Sequence, residues 1–281
     1  NRRWTPQNYS RVFYGFTRMR VALQHSYNLW AVKTLVDIGL PQFTDVVRRF
    51  GFNHNVTDYS AALGTYEVSP IDLISAYTTF PNDGYRVHPI YITKVEDDRG
   101  RVLERSVTNR QRVCESDVAY LMNSMLQTVA MQGTGGSSRA NHPWISGGKT
   151  GTTDSFNDAW YIGYNKELTL GIWSGFDQSR TLGSGMSGGV VCAPIWGTIM
   201  RKAILLDNKN RLPKVDDSRF VFSAPGNIVR SNISPKTGFS VGSGGIEEIF
   251  IDGSVPPVVS DTLNFNFHPT RWGFNDAMEI N

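Results

Sequence analysis

The stretch Ser146-Gly147-Gly148-Lys149-Thr150-Gly151-Thr152-Thr153 constrains this chain more than any other. It follows Trp144-Ile145 and leads into Asp158-Ala159-Trp160-Tyr161-Ile162-Gly163-Tyr164. β-Branched and aromatic residues favour an extended strand, and interspersed glycines remove side chains where something approaches closely. Asp158 to Tyr164 and Leu168 to Trp173 read as two antiparallel partners joined by the short turn Asn165-Lys166-Glu167. The expectation is a twisted antiparallel sheet in which one strand carries an ammonium and a row of hydroxyls. Such a strand can align with an extended substrate backbone and hold a carboxylate with Lys149, Thr150 and Thr152. Taken alone, Lys-Thr-Gly reads first as an exposed edge strand with a solvated lysine.

Ahead of this sheet the pattern is mostly helical. Residues Trp4 to Tyr14 read as an extended lead-in. Thr17 is a candidate cap for a helix through Arg18 to Leu23, which stops near Ser26-Tyr27-Asn28. A second helix begins at Leu29 and ends at Gly39 and Pro41. Ser26 and Asn28 therefore fall in a bend between helices, where they either cap the helices or face a cleft. Phe43 to Phe50 is a short amphipathic helix closed by Gly51. Ser69-Pro70 starts another, running through Ile71, Ile74, Ala76 and Phe80 to Asn82-Asp83-Gly84. Tyr91 to Val95 and Arg101 to Glu104 form a polar hairpin. A long helix over Ser116 to Val129 should bury Val118, Leu121, Met122, Met125 and Leu126. Gly133 to Ser138 reads as a flexible turn without the following helix that a phosphate-cradling loop needs.

After the sheet, Ser184 to Gly189 reads as a mobile loop, and a helix from Val191 to about Ala203 should cover the sheet. Phe220 to Phe222, Ile228 to Arg230 and Ile246 to Phe250 are short strand-like pieces, and the tail from Pro256 reads as irregular. A length of 281 residues, 40% hydrophobic and 19% charged, suits one large domain or a domain with a small satellite. The net charge of +3 gives no argument for nucleic acid. No run of 18 or more apolar residues is present. Cys114, Cys192 and the scattered histidines show no metal-ligand spacing, so no metal or other cofactor is expected.

A second motif, Ser26-Tyr27-Asn28, gives Lys149-Thr150-Gly151 its context. Penicillin-binding proteins and serine β-lactamases carry Ser-x-x-Lys, then Ser-x-Asn, then Lys-Thr-Gly, in that order. The chain resembles the transpeptidase domain of class A (bifunctional) penicillin-binding proteins over residues 1 to about 260. The blocks that carry the resemblance include Thr17-Arg18 through Leu23, Ala62-Leu63-Gly64, Glu67-Val68-Ser69-Pro70, Asn82-Asp83-Gly84 and Gly133-Thr134-Gly135. Gly148-Lys149-Thr150-Gly151-Thr152, Asp158-Ala159-Trp160, Trp173 to Asp177 and Ala193-Pro194-Ile195-Trp196 complete it. The implied fold is α+β: a central antiparallel β-sheet flanked by helices, with an all-helical subdomain carrying Ser26 and Asn28 and the site at their junction. On this reading residues 1–205 are an N-terminally incomplete transpeptidase domain, and 206–281 are an extension packed on it.

The resemblance implies a serine that attacks the D-Ala-D-Ala stem peptide of the cell wall, releases D-Ala and passes the acyl group to an amine on a neighbouring stem. A serine needs a base, which the lysine of its own Ser-x-x-Lys supplies if its pKa is lowered. Ser26 would relay a proton between that lysine, Lys149 and the leaving amine. Asn28 would hydrogen-bond the substrate amide, and Lys149 would add positive potential. Thr150 and Thr152 would bind the terminal carboxylate of the peptide or of a β-lactam, with Gly151 between them, and the Thr152 N–H would serve the oxyanion hole. The implied location is the cell envelope, on the outer face of the cytoplasmic membrane.

The sequence departs from that pattern in one respect. The nucleophilic Ser-x-x-Lys should precede Ser26, where residues 1–25 offer only Ser10 followed by Arg11-Val12-Phe13. The one Ser-x-x-Lys, Ser146 to Lys149, is embedded in the Lys-Thr-Gly strand. The expectation is that the nucleophile sits on an upstream segment of the same protein and that this chain alone is inactive. A non-catalytic module of the same fold, for sensing or cell-wall complex assembly, is the alternative. A β-lactamase-type hydrolase fits less well with the Ala193-Pro194-Ile195-Trp196 block and the C-terminal extension.

Overall fold

The computed structural model describes residues 4–258, which divide into two compact units built from interleaved chain segments. Its helices are α1 (Met19–His25), α2 (Asn28–Ile38), α3 (Leu40–Arg49), α4 (Pro70–Tyr77), α5 (Ser116–Gln132) and α6 (Gly188–Asp207). Its strands are β1 (Tyr85–Val87), β2 (Lys94–Glu96), β3 (Val102–Arg105), β4 (Arg110–Arg112), β5 (Gly147–Thr152), β6 (Ala159–Tyr164), β7 (Thr169–Ser174), β8 (Ile228–Ile233) and β9 (Ile246–Ile251).

The first unit takes residues up to Thr44, Asn55–Tyr66 and the chain from Pro225 onward. It holds α1, α2, the start of α3 and the antiparallel pair β8–β9, with Ala22, Val32, Leu35, Val56 and Ile233 buried. Thr17 does not cap α1. Arg18 is the residue at the N-cap, with no side-chain cap, and the Thr17 hydroxyl bonds the Gly15 carbonyl instead. Arg18 and Arg20 both reach the carboxylate of Glu248 on β9, Arg20 through Nε at 3.0 Å to each oxygen. Burial alone would raise the Glu248 carboxyl, but the Arg20 and Arg18 guanidiniums override it and hold the pKa below the usual value. The lead-in is more than a linker. Asn8 is buried and its Oδ1 accepts the Leu29 N–H at 3.1 Å, satisfying an orphan donor in the first turn of α2. Gly39 ends α2 as expected, whereas Pro41 does not: it sits in the first turn of α3, where its missing N–H costs nothing. Of the irregular tail, everything past Val258 lies outside the described residues.

The second unit takes Asp45–His54 and Glu67–Ala224. Its centre is the antiparallel sheet β5-β6-β7, with β5 at one edge. β6 is buried along nearly its whole length because helices cover both faces. On the face bearing Ala159, Tyr161 and Gly163, α6 packs with Cys192, Ala193, Trp196 and Met200. Trp196 Nε1 donates to the Gly163 and Leu170 carbonyls at 3.2 and 3.0 Å. On the other face Ile74 of α4 meets Gly171, where a Cβ would lie 2.6 Å from Ile74 Cγ1, and Tyr164 donates to Asn123 of α5 at 3.1 Å. Among the described residues α6 alone has the length and hydropathy to cross a bilayer. One stripe of it packs on the sheet, whereas Val190, Ile195, Ile199 and Leu206 are exposed.

Several local expectations shift. α6 begins at Gly188, within the stretch that reads as a mobile loop. α4 ends at Tyr77 rather than near Phe80. α5 buries Ala119, Asn123, Met125, Leu126, Val129 and Ala130, while Val118 is exposed. The polar hairpin β2–β3 is the tip of a longer arm. Its base is the pair β1–β4, where the guanidiniums of Arg110 and Arg112 stand 4.9 and 4.7 Å from the Tyr85 ring. Both cysteines are free thiols.

Candidate active site

Ser26 and Asn28 lie together at the α1–α2 bend of the first unit. Ser26 is the C-cap of α1, in the left-handed region at φ 57° and ψ 49°. Its N–H bonds the Leu23 carbonyl at 3.2 Å, and the Tyr27 N–H bonds that of Ala22 at 2.9 Å, closing the helix end. Glycine is the usual occupant of such a position, and serine there carries local strain of the kind that gathers at functional sites. Its side chain is exposed. Asn28 opens α2 without capping it, since its Nδ2 donates to the Gln7 carbonyl at 2.9 Å. Tyr27, between them, stacks on Tyr14 with ring centroids 4.2 Å apart.

Lys149, Thr150, Gly151 and Thr152 lie on β5 of the second unit, in register with Ile162, Tyr161, Trp160 and Ala159 of β6. Strand alternation puts Thr150 and Thr152 on the face that α6 covers and Lys149 on the opposite one. A single ligand can engage all three only along the edge of β5 that faces away from β6, where an edge strand also offers backbone N–H and C=O groups. Lys149 Nζ donates to the Thr150 carbonyl at 3.0 Å. Burial lowers the Lys149 ammonium from 10.5 to about 8, so the side chain titrates close to neutrality.

The glycines of β5 have an internal cause. A Cβ on Gly147 would lie 2.6 Å from the Tyr164 hydroxyl oxygen, and one on Gly148 would lie 2.5 Å from that of Tyr161. Two buried tyrosines of β6, not a ligand, make the close approach there. Ser146 is buried, 2% exposed. Just beyond β5, the Thr153 hydroxyl donates to Asp158 at 3.1 Å and Trp173 Nε1 donates to the same carboxylate at 3.0 Å, bracing the turn into β6.

Two partners of β5 were not visible to residue-level reading. The Thr134 hydroxyl lies 2.7 Å from that of Thr150, and the Gly188 N–H donates to Thr152 Oγ1 at 3.1 Å. The only signal for either in the sequence is the Gly133-Thr134-Gly135 block, because glycine on both sides of a threonine marks a backbone that must pass close to something.

A Lys-Thr-Gly-Thr edge strand, in a sheet layered between helices, places the chain among mixed α+β proteins of the penicillin-binding and serine β-lactamase fold. The family model "Penicillin binding protein transpeptidase domain" matches residues 1–200. Penicillin-binding protein 1A of Aquifex aeolicus is 34% identical over 264 residues, covering 93% of this chain and 35% of that protein. Penicillin-binding protein 1A of Pseudomonas aeruginosa is 29% identical, covering 92% of this chain and 37% of the relative. The crystal structure of penicillin-binding protein 1A from Haemophilus influenzae superposes with a TM-score of 0.81 at 28% identity, over 90% of this chain and 42% of that one. The chain belongs to the penicillin-binding protein transpeptidase-domain family, of the class A, penicillin-binding protein 1A type. It spans little more than a third of the length of these curated relatives.

Proposed function

We propose that this chain is the C-terminal part of a peptidoglycan D,D-transpeptidase domain that works through an acyl-serine. Its nucleophile is supplied by a Ser-x-x-Lys segment upstream in the full-length protein. Ser26, Asn28 and Lys149 are the catalytic groups, and Thr150, Gly151 and Thr152 bind substrate. The donor is a D-Ala-D-Ala stem peptide, the acceptor an amine on a neighbouring stem, and β-lactams are the inhibitors. The protein acts in the cell envelope, outside the cytoplasmic membrane.

The observation that carries this reading is β5 itself: an edge strand with a lysine of lowered pKa and two threonine hydroxyls in one row. The serine oxygen adds to the penultimate D-Ala carbonyl, the C–N bond to the terminal D-Ala breaks, and the departing nitrogen takes a proton relayed through Ser26. The acceptor amine then attacks the ester, loses a proton by the reverse route and frees the serine. At neutral pH a lysine with pKa near 8 is mostly protonated, so Lys149 supplies positive potential for the donor carboxylate. The burial of Ser146 supports a nucleophile outside this stretch.

The test is intact mass after incubation with benzylpenicillin, on this chain and on a version extended upstream through Ser-x-x-Lys. A penicilloyl adduct on the extended version alone is expected. An adduct on this chain would reassign the nucleophile to one of its own serines. No adduct on either would favour a non-catalytic module.

A further inference from the structure

The Thr134–Thr150 contact joins two hydroxyls that are 16 positions apart in the chain and 2.7 Å apart in space. Thr134 belongs to the link after α5, and that link is held on three sides. The Gly133 and Gly135 N–H groups both bond the Val129 carbonyl, at 3.1 and 3.2 Å. A Cβ on Gly135 would lie 2.8 Å from the Tyr161 ring, and one on Gly189 would lie 2.5 Å from the Thr134 carbonyl oxygen. The backbone that carries the Thr134 hydroxyl is therefore set by α5, β6 and α6 together.

A hydroxyl has one proton to give and two lone pairs to receive. Between two hydroxyls one proton lies in the shared bond and the other is directed elsewhere. If Thr150 gave its proton to Thr134, it would meet a carboxylate with lone pairs only. If Thr134 donates, the Thr150 proton is left for the anion, and a hydroxyl that is already accepting is a stronger donor. Thr152, on the same face of β5, is treated alike: its oxygen accepts the Gly188 N–H at the start of α6, which directs its own proton away from the helix.

Resting on the reading of β5 as a carboxylate-binding strand, we propose that Thr134 is a positioning residue for that site. By donating to Thr150 Oγ1 it makes Thr150 a donor to the ligand carboxylate, as the Gly188 N–H does for Thr152. Thr134 touches no ligand itself and acts through one hydroxyl.

The test uses the full-length protein and second-order acylation rates for benzylpenicillin and its methyl ester, which lacks the carboxylate. Thr134→Val should slow acylation by the acid about 3- to 10-fold, the size of one neutral hydrogen bond, and leave the ester rate unchanged. Thr134→Ser should restore the acid rate, with thermal melting confirming that both variants fold. In a Thr150→Val background, Thr134→Val should have no further effect, because the hydroxyl it acts through is gone. Equal slowing of acid and ester, or full additivity with Thr150→Val, overturns the proposal. If Thr150→Val erases the preference for the acid while Thr134→Val does not, only the positioning role fails. If Thr150→Val leaves that preference intact, the carboxylate-binding reading of β5 fails and takes the positioning role with it.

Discussion

His142 offers a measurement that separates one side chain from all other titrations of the fold. It is fully buried, edge-on to Trp144 at 5.2 Å and to Trp196 at 5.0 Å between ring centroids. Among the described residues neither ring nitrogen has a hydrogen-bond partner. Burial, with the Arg139 charge adding to it, lowers the imidazole from 6.5 to about 4. In the unfolded chain the ring takes up a proton as pH falls through 6.5, whereas in the folded chain it stays neutral until about 4. The unfolded state therefore binds more protons across this window, and stability falls as pH drops from 6.5 towards 4. Integrated to pH 5, the loss from this one group is about 2 kcal/mol. Urea unfolding followed by tryptophan fluorescence at pH 7.5 and 5.0 gives the wild-type difference. The same pair of curves for His142→Phe should lack the increment, because phenylalanine keeps the edge-on aromatic packing and cannot titrate. An equal pH-dependent loss in both proteins would refute the argument and mean that the folded imidazole is protonated as readily as the unfolded one.

Three further outcomes are expected. Acylation of the full-length protein by benzylpenicillin should weaken above about pH 8, where Lys149 loses its charge; Lys149→Arg should move that decline to higher pH, and an unchanged profile would remove Lys149 from the site. Ser26→Gly should change stability by less than about 1 kcal/mol, since relief of the left-handed backbone offsets the added chain entropy. It should nevertheless cut acylation at least about 100-fold, as expected for loss of a proton relay, and retained activity would make Ser26 a cap only. Glu248→Gln removes the carboxylate charge that Arg18 and Arg20 share and should destabilise the fold by about 1–3 kcal/mol. Because the Glu248 pKa is lowered, the wild-type advantage should be present above its unfolded value of 4.5 and fade as pH falls through the folded one. An urea midpoint difference that stays constant through this range would contradict it.

What the sequence determines by itself is the part of the structure that is local. The hairpin β6–β7 and the strand β5 are legible because alternation, glycine placement and the Asn165-Lys166-Glu167 turn all act within a few residues. The bend that presents Ser26 and Asn28 is legible for the same reason, and the order of the two motifs places the chain in its family. What only the tertiary structure decides are the choices in which distant chain segments overrule local preference. Position 188, where α6 begins, must be glycine because a Cβ there would lie 2.0 Å from the Trp160 carbonyl oxygen. Arg110-Gln111-Arg112 becomes a strand because Tyr85-Arg86-Val87 pairs with it, not because its composition favours one. The hydroxyl of Thr134 reaches Thr150, and Glu248 collects Arg18 and Arg20, through chain closures that no periodicity encodes. Propensity and spacing act over a few residues, whereas a buried hydrogen bond or a sub-van der Waals approach depends on which surfaces the folded chain presses together.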